Sequence, residues 1–529
     1  MSWLSLFNEW AGLITFGLVV TMISVPPLAI LFLYFSDRRQ HQHAVLRNFP
    51  LLGRLRYLLE HIGPELRQYL FEGDGTGKPF SRDDYQTMVF SGKYLKTLIS
   101  FGSHRDFEKP GWYLRNAFLP VLSEDLRMDR EPCIETQRYV TEGEGLLSRK
   151  EHIERCVVAP WTLHRKIAPV IGGDLPNPWV SQGLVGMSAM SYGALGKPAI
   201  QALSYGLAMA GGSWMNTGEG GLSPHHLVGG GSVIVQIGPG LYGTRTPDGR
   251  FDWDAFGKKA SLPEVVGFEL KLHQGAKIRG GHVEGIKVTP EIAEIRGLEP
   301  WKTIEAPNRF PMIADVDDLL DWIARLRRVG GKPVGVKVVM GGPSTLEELA
   351  VAMAQRGDGP DWITVDGGEG GSGATYREMA DTMGMPIRSA ILLADNTLRA
   401  AGVRDRVKII ASGKLFSPDR IALALCFGAD MVNIARGFMI SVGCIQAQRC
   451  HANTCPVGVA TTNAKLNKAL VVEEKKYRVL NYIITLRAGL AALTAAAGLH
   501  SPVEFSREHA IYRSETGPVR SAAELFPGA

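Results

Sequence analysis

Cysteine is scarce here, at six in 529 residues. That excludes the cysteine-dense disulfide frameworks of small secreted domains. An excess of one charge is missing too. Lys and Arg number 58 against 53 Asp and Glu, a net +5, which is too small for this length to argue for nucleic acid as a partner. No Gly-x-Gly-x-x-Gly follows the first strand-like run of the main domain, which disfavours an open dinucleotide-binding sheet. Residues 11–35, AGLITFGLVVTMISVPPLAILFLYF, carry no charge at all.

That uncharged run is long enough to span a bilayer, and membrane helices tolerate a kink such as Pro26-Pro27 should produce. A cleaved signal peptide fits poorly, since no basic segment precedes the run and no small-x-small site follows it. The alternative is a buried hairpin of a soluble domain. Lys and Arg are absent before the run, whereas Arg38, Arg39, Arg47, Arg54 and Arg56 follow it. The positive-inside rule then gives a single-pass membrane protein with its body in the cytoplasm. The lipid bilayer is thereby an expected partner, and the compartment a reducing one.

What is abundant is glycine, 61 residues, much of it in short clusters. Such clusters suit phosphate binding through backbone amides. Residues 37–178 mix helical patterns with polar loops, and LLGRLRYLLEHIGPELRQYLF reads as an amphipathic helix interrupted at Gly63-Pro64. From 179 onward short apolar runs alternate with helical stretches. VSQGLVGMSAM, SWMNTGEGG, KPVGVKVVM, DWITVDGGEGGSG, VKIIASG and ADMVNIARG read as strands with their following loops. KPAIQALSYGLAMAGG, TLEELAVAMAQRG and SPDRIALALCFG read as helices. Alternating βα units over this length predict an α/β fold, a (β/α)₈ TIM barrel, with a doubly wound sheet as the alternative. The expected organisation is a transmembrane anchor at 1–36, a helical or irregular extension at 37–178, a barrel domain at 179–470, and a helical C-terminal extension at 471–529. Phosphate sites in barrels lie after the last two strands. Here those loops are Ser412-Gly413-Lys414 and Ala435-Arg436-Gly437, which offer small residues, amides and a cation. They suit the phosphate of FMN.

Three of the six cysteines, Cys444, Cys450 and Cys455, fall within twelve positions of one loop-like segment, GCIQAQRCHANTCPVGVATTN. Three thiols this close have too few apolar neighbours for ordinary core. Zinc could take them with His451, although adjacent Cys450 and His451 would need a sharp bend to share one ion. An iron–sulfur cluster fits better, because Cys-Pro at the last ligand recurs in cluster loops. Three thiolates suit a [3Fe–4S] cluster.

The segment Cys-x5-Cys-His-x-Asn-x-Cys-Pro-Val-Gly resembles the cluster loop of the glutamate synthase large subunit. So do AMSYGAL at 189–195, NTGEGG at 216–221, QGAK at 274–277 and GGEGGSGA at 367–374, in the same order and at similar spacing. The resemblance covers roughly residues 150–470, the synthase and FMN-binding domain of that family. It implies FMN at the top of the barrel, with Met190, Asn216, Gln236, Gly367 and Gly368 near it. Lys337, at a strand end, would steady negative charge on the reduced flavin; otherwise it is a solvated strand-end lysine. The family's other substrate is 2-oxoglutarate. Lys277 and Arg296 match residues that grip its carboxylates, and arginine suits them because its planar fork can bond both oxygens. Glu219 matches an acid placed where ammonia meets the keto acid, and could hold ammonium or take its proton. His282 stands where the family has glutamine, after a loop shortened by one residue.

The resemblance implies an oxidoreductase that reductively aminates 2-oxoglutarate with ammonia to L-glutamate. Electrons would pass from the cluster through FMN to an imino acid. No glutaminase segment is recognisable and no cysteine precedes Cys133, so ammonia would come from solution or a separate glutaminase subunit. No nicotinamide fingerprint appears, which leaves ferredoxin, a partner reductase or a membrane carrier as electron donor. The competing expectations are a related synthase using another amine or keto acid, and a membrane-bound flavin and iron–sulfur electron-transfer subunit. Deleting residues 1–36 should release a soluble protein that still binds FMN. Loss of flavin absorbance in the truncated protein would make the segment part of the fold.

Overall fold

The structure is a computed structural model that describes residues 3–145, 149–275 and 277–527. Ala276 of the QGAK stretch lies outside these residues, as do the first two positions of the expected anchor and residues 146–148 of the extension. The chain divides into two compact units, 1–85 and 86–529.

In the first unit one helix runs Trp3–Arg39, straight through Pro26 and Pro27. The segment Trp10–Arg39 is long and apolar enough to cross a membrane, and its apolar stretch is exposed rather than packed. The core-hairpin alternative is therefore not what this segment forms. A second helix, Leu52–Leu66, continues through Pro64 and then widens into a π-helical turn, Arg67–Phe71. The expected interruption at Gly63-Pro64 is thus displaced by three residues. Proline removes one i→i−4 bond and crowds the preceding turn, and here the helix loosens beyond it instead of breaking.

The second unit is built on a closed parallel barrel of eight strands. In chain order these are β1 (Val185–Met187), β2 (Trp214–Asn216), β3 (Ser232–Ile237), β4 (Val265–Lys271), β5 (Val334–Val338), β6 (Trp362–Asp366), β7 (Lys408–Ser412) and β8 (Met431–Ile434). Each pairs with its sequence neighbours, and β8 closes onto β1 through Asn433↔Gly186. The open-sheet alternative is thereby excluded. Helices between the strands cover the outside, where Phe268, Val336, Ile363, Ile409 and Val432 are buried.

The barrel interior is filled unusually. Trp214 on β2 and Trp362 on β6 meet Trp179, at centroid distances of 5.1 and 6.0 Å. Indoles this large need space opposite. A Cβ on Gly186 would stand 2.1 Å from the Trp214 ring, and one on Gly335 would stand 2.1 Å from Trp362. Above this layer the interior turns polar around Glu269 of β4, which is fully buried. Its Oε1 accepts from Asn216 at 2.8 Å and Gln236 at 2.7 Å. Its Oε2 accepts from Thr364 at 2.5 Å and the Trp362 indole at 3.3 Å. These donors sit on β2, β3 and β6, so they can meet only inside the barrel.

The flanking segments are less helical than the sequence suggests. Residues 37–178 include a long antiparallel hairpin, Ile134–Glu144 with Arg149–Val158. Strand Gly111–Leu114 pairs with Ala510–Arg513 of the C-terminal extension, where a short three-stranded sheet follows the expected helix. That helix, Val472–Ala496, is also long and apolar enough to span a membrane, but it is mostly buried against the barrel. It is a core element.

Gly186→Ala and Gly335→Ala should each destabilise by about 1–3 kcal/mol through overpacking against tryptophan. Gly257→Ala, in the helix Trp253–Ala260 with open space around it, should stabilise by about 0.5–1 kcal/mol. Chemical denaturation of the three variants checks both signs.

Candidate active site

The C-terminal mouth of a barrel is where the loops after its strands converge. Here that mouth gathers charge. Glu219, after β2, and Lys271, the last residue of β4, pair at 2.6 Å with both side chains largely buried. Burial alone would push the Glu219 carboxyl up; Lys271, Lys277 and Arg296 overturn that and hold it below the usual carboxylate range. The backbone presses close on this acid. A Cβ on Gly281 would lie 2.2 Å from Oε1, and one on Gly238 would lie 2.5 Å from Oε2. Glycine is required at both positions for the loops to approach.

Lys277 is buried and donates to the carbonyl of Ala374 at 3.2 Å, on the glycine-rich loop after β6. Burial, reinforced by the neighbouring Lys271, pushes its ammonium down to about 8. Arg296 ends the helix Pro290–Arg296 and is fully enclosed. Its Nη2 donates to the Tyr192 carbonyl at 3.1 Å and its guanidinium stands 5.6 Å from the Tyr242 ring centre. Burial lowers its pKa while Glu219 raises it. Among the described residues, Arg296 Nε, Glu219 Oε2 and His273 Nδ1 are buried polar atoms without a partner. Buried polar atoms in folded proteins are normally paired, so this mouth is furnished for a polar guest.

Lys337 is buried, not solvated, and pairs with Asp366 of β6 at 3.2 Å. Asp366 also accepts from the amide of Gly275 at 2.8 Å, which pins the loop carrying Lys277. His282 is one residue beyond Gly281, but the strand alternation turns it away from Glu219. It engages Glu284 at 3.1 Å and Glu305 at 3.3 Å, on the small antiparallel pair His282–Val283 with Ile304–Glu305.

The flavin candidates gather at the same mouth. Met190 is buried beneath the loop after β1. Asn216 and Gln236 both spend an amide N–H on Glu269, and Asn216 Oδ1 accepts from the Gly218 amide at 3.0 Å. Strands β7 and β8 are neighbours in parallel register, Ser412↔Asn433, so the loops beginning Gly413 and Ala435 lie side by side. Arg436 donates to the Glu369 carbonyl at 2.6 Å, and a Cβ on Gly371 would fall 2.8 Å from its Nε. The amides of Gly367 and Gly368 are already bonded to the Ser412 and Met385 carbonyls. Their contribution is a close-packed loop, not free donors.

The three thiols share one neighbourhood. Burial pushes Cys444 up to about 12, with Cys450 and Cys455 adding to the shift. Burial likewise raises Cys450, with Cys455 reinforcing it. Among the described residues no three His, Cys, Asp or Glu close on one point as a single ion requires, and His451 is exposed. The loop's backbone is wrapped, with Gln446, Gln448 and Asn453 all at positive φ. Non-glycine residues hold that conformation only where their surroundings impose it. Asn453 Oδ1 accepts from the Thr462 amide at 2.7 Å and the Thr461 hydroxyl at 2.8 Å. Cys444, Cys450 and Cys455 on this loop are the residues that would hold a cluster.

Two participants escaped the sequence reading. Lys271 lies in FELKLH, where the alternation that marks it as inward-facing was the available signal. Lys287 lies under the cysteine loop, bonded to carbonyls on three segments, and nothing local distinguishes it.

Comparison with known proteins places these features. Residues 162–500 match the family model described as a conserved region in glutamate synthase. The chain is 53% identical over 509 residues to the glutamate synthase large subunit-like protein YerD of Bacillus subtilis, covering 96% of this chain and 97% of that one. It is 32% identical over 356 residues to an archaeal glutamate synthase (NADPH) of Methanocaldococcus jannaschii, covering 66% of this chain and 64% of that one. A flavocytochrome b2 variant solved with pyruvate bound aligns over 91% of this chain and 90% of its own, at 13% identity and a TM-score of 0.41.

Lys271→Met should destabilise by about 3 kcal/mol near neutral pH, because it uncovers a buried carboxylate. The loss sits at the low end of that range because Lys277 and Arg296 remain. A carboxyl with a depressed folded pKa contributes stability above its unfolded pKa and loses it as pH falls through the folded value. Removing Lys271 raises the folded value, so the deficit should shrink as pH is lowered and Glu219 takes up a proton. Urea denaturation of both proteins at neutral and acidic pH measures this; a deficit independent of pH would contradict it.

Proposed function

This chain belongs to the glutamate synthase family, and on that footing we propose that it reductively aminates 2-oxoglutarate with ammonia to L-glutamate, using FMN and a [3Fe–4S] cluster. The oxidoreductase class follows from the family; substrate and cluster are our reading. The observation that carries it is the mouth itself. One ionised acid sits among Lys271, Lys277 and Arg296, and Glu219 Oε2 and Arg296 Nε are buried without a partner.

A dicarboxylate needs cations at both ends. Arg296 offers a fork with an unused Nε, and Lys277 a buried ammonium that a carboxylate would relieve of its lone burial. Glu219 Oε2 is the free acceptor for ammonium. As the amine adds to the keto carbon, Oε2 can receive the proton that nitrogen releases. Lys271 keeps Glu219 ionised so that it can do so. Condensation expels one water to give the imino acid, and burial of the mouth keeps that imine from hydrolysis. Gln236, Lys337 and the loops at Ser412–Lys414 and Ala435–Arg436 would hold FMN, and Cys444, Cys450 and Cys455 would hold the cluster; when bound, these groups would supply the hydride for the imine carbon, a proton completing the amine, and the single electrons that restore the flavin. Lys337, fixed by Asp366, stands as the cation for negative charge at the flavin. The electron donor is ferredoxin or a partner reductase; ammonia comes free or from a separate glutaminase. The exposed apolar helix Trp10–Arg39 is assigned to a bilayer, with the barrel on its cytoplasmic side.

A second reading keeps the site and changes the amine or the keto acid. It is favoured by His282, which two carboxylates hold away from the Glu219 cluster.

Anaerobically reduced protein mixed with 2-oxoglutarate and ammonium should reoxidise its flavin only when both are present. Reoxidation with methylamine and not with ammonium would select the second reading. Arg296→Ala should raise KM for the keto acid by roughly thirty- to a thousandfold, from loss of a charge-assisted contact of about 2–4 kcal/mol, with FMN content unchanged. Loss of flavin with KM intact would remove Arg296 from the substrate.

A further inference from the structure

The turn Gly285–Lys287 leads into the helix that carries Arg296. Its lysine is 3% exposed. The ammonium donates to the carbonyls of Ala194 at 2.9 Å, Cys450 at 3.0 Å and Ala460 at 3.2 Å. An ammonium has three donors, and all three are used. The acceptors lie on three separate segments: the loop after β1 that carries Met190, the middle of the cysteine loop, and its return limb. The preceding residue is tied to the same loop, since Asn453 donates to the Ile286 carbonyl at 3.4 Å.

Hydrogen bonding alone does not require a charge here. A neutral amide or a water could satisfy carbonyls. Burying a full positive charge costs several kcal/mol unless something opposite compensates it. Among the described residues no carboxylate pairs with Lys287. The groups beside it that can become negative are Cys450 and Cys455, two of the three thiols assigned to the cluster. A cluster on three thiolates is anionic, and becomes more so on reduction.

We propose that Lys287 is the buried counter-charge of the iron–sulfur cluster, a positioning residue whose fixed positive charge favours the reduced cluster and raises its reduction potential. It does so while tethering both limbs of the cysteine loop to the loop after β1. Net charge and hydrogen bonding around a cluster are the protein's means of setting its potential. The proposal rests on the cluster reading given above.

The test is a redox titration of the purified holoprotein followed by the paramagnetic signal of the oxidised cluster, with iron, sulfide and FMN measured in parallel. Lys287→Gln keeps two amide donors and removes the charge. Lys287→Arg keeps the charge. In the Gln variant the cluster potential should fall while FMN content stays at the wild-type level, and in the Arg variant the potential should stay close to wild type. A Gln variant that cannot retain iron while the Arg variant does would support the same role, charge being what holds the cluster. A wild-type potential in the Gln variant would overturn the proposal, as would an equal fall in both variants or loss of iron from both. Wild-type protein that carries FMN but neither iron nor sulfide would overturn the cluster reading itself, independently of Lys287.

Discussion

Lys271 and Glu219 lie 2.6 Å apart in a mouth too enclosed for either to be carried alone, and the arrangement of the surrounding loops follows from that pair. With one cation the pair would be neutral. With Lys277 and Arg296 added, the mouth holds more positive than negative charge, and that imbalance has to be met by something acidic from outside. The anionic substrate proposed above would meet that imbalance. Gly238 and Gly281 allow the backbone to close on the carboxylate, which keeps water out and keeps the charges strong.

Beneath the mouth, Glu269 does for polarity what the pair above does for charge. It is an acceptor only, surrounded by four neutral donors from the neighbouring strands β2 and β3 and from β6 across the barrel. Because Asn216 and Gln236 must point their amide N–H groups down toward it, the carbonyl end of Gln236 is left for whatever lies above. The tryptophan layer below then seals the other end. The barrel is thereby graded from apolar floor to charged mouth along one axis.

Much of this was legible in the sequence. The alternating runs predicted a barrel and marked six of its strands, among them those at VGVKV, WITVD and VNI; Ser232–Ile237 and Val265–Lys271 were not marked. Lys277, Arg296 and Glu219 were reachable through motif resemblance, and the structure brings all three within electrostatic reach of one another. Lys271, Glu269 and Lys287 were not, because each acquires its meaning from partners far away along the chain. Glu269 bonds side chains 33 to 95 residues distant, and a lone acid in a strand carries no local mark of that. The pairing of Ile134–Glu144 with Arg149–Val158 was missed for another reason: Arg149–Val158 has only exposed and half-buried residues, so no buried apolar face announces it. His282, matched by position to the family's glutamine, engages Glu284 and Glu305.

The helix Val472–Ala496 clasps segments that precede the barrel. Asn481 receives the Thr136 hydroxyl at 2.6 Å and donates to the carbonyls of Gly92 at 3.1 Å and Gln137 at 2.8 Å. Arg487 reaches the carbonyls of Pro160 at 3.2 Å and Ala210 at 2.9 Å. Strand Gly111–Leu114 likewise finds its partner only at Ala510–Arg513. During synthesis, then, the stretch between about 90 and 160 leaves the ribosome with none of these contacts on offer, and waits for several hundred further residues before it can settle. The barrel, by contrast, pairs successive strands from β2 to β8, so those contacts need no distant partner. A chain that ends before Val472 would lack the partners of Thr136, Gly92, Gln137 and Pro160 and the helix that buries against the barrel.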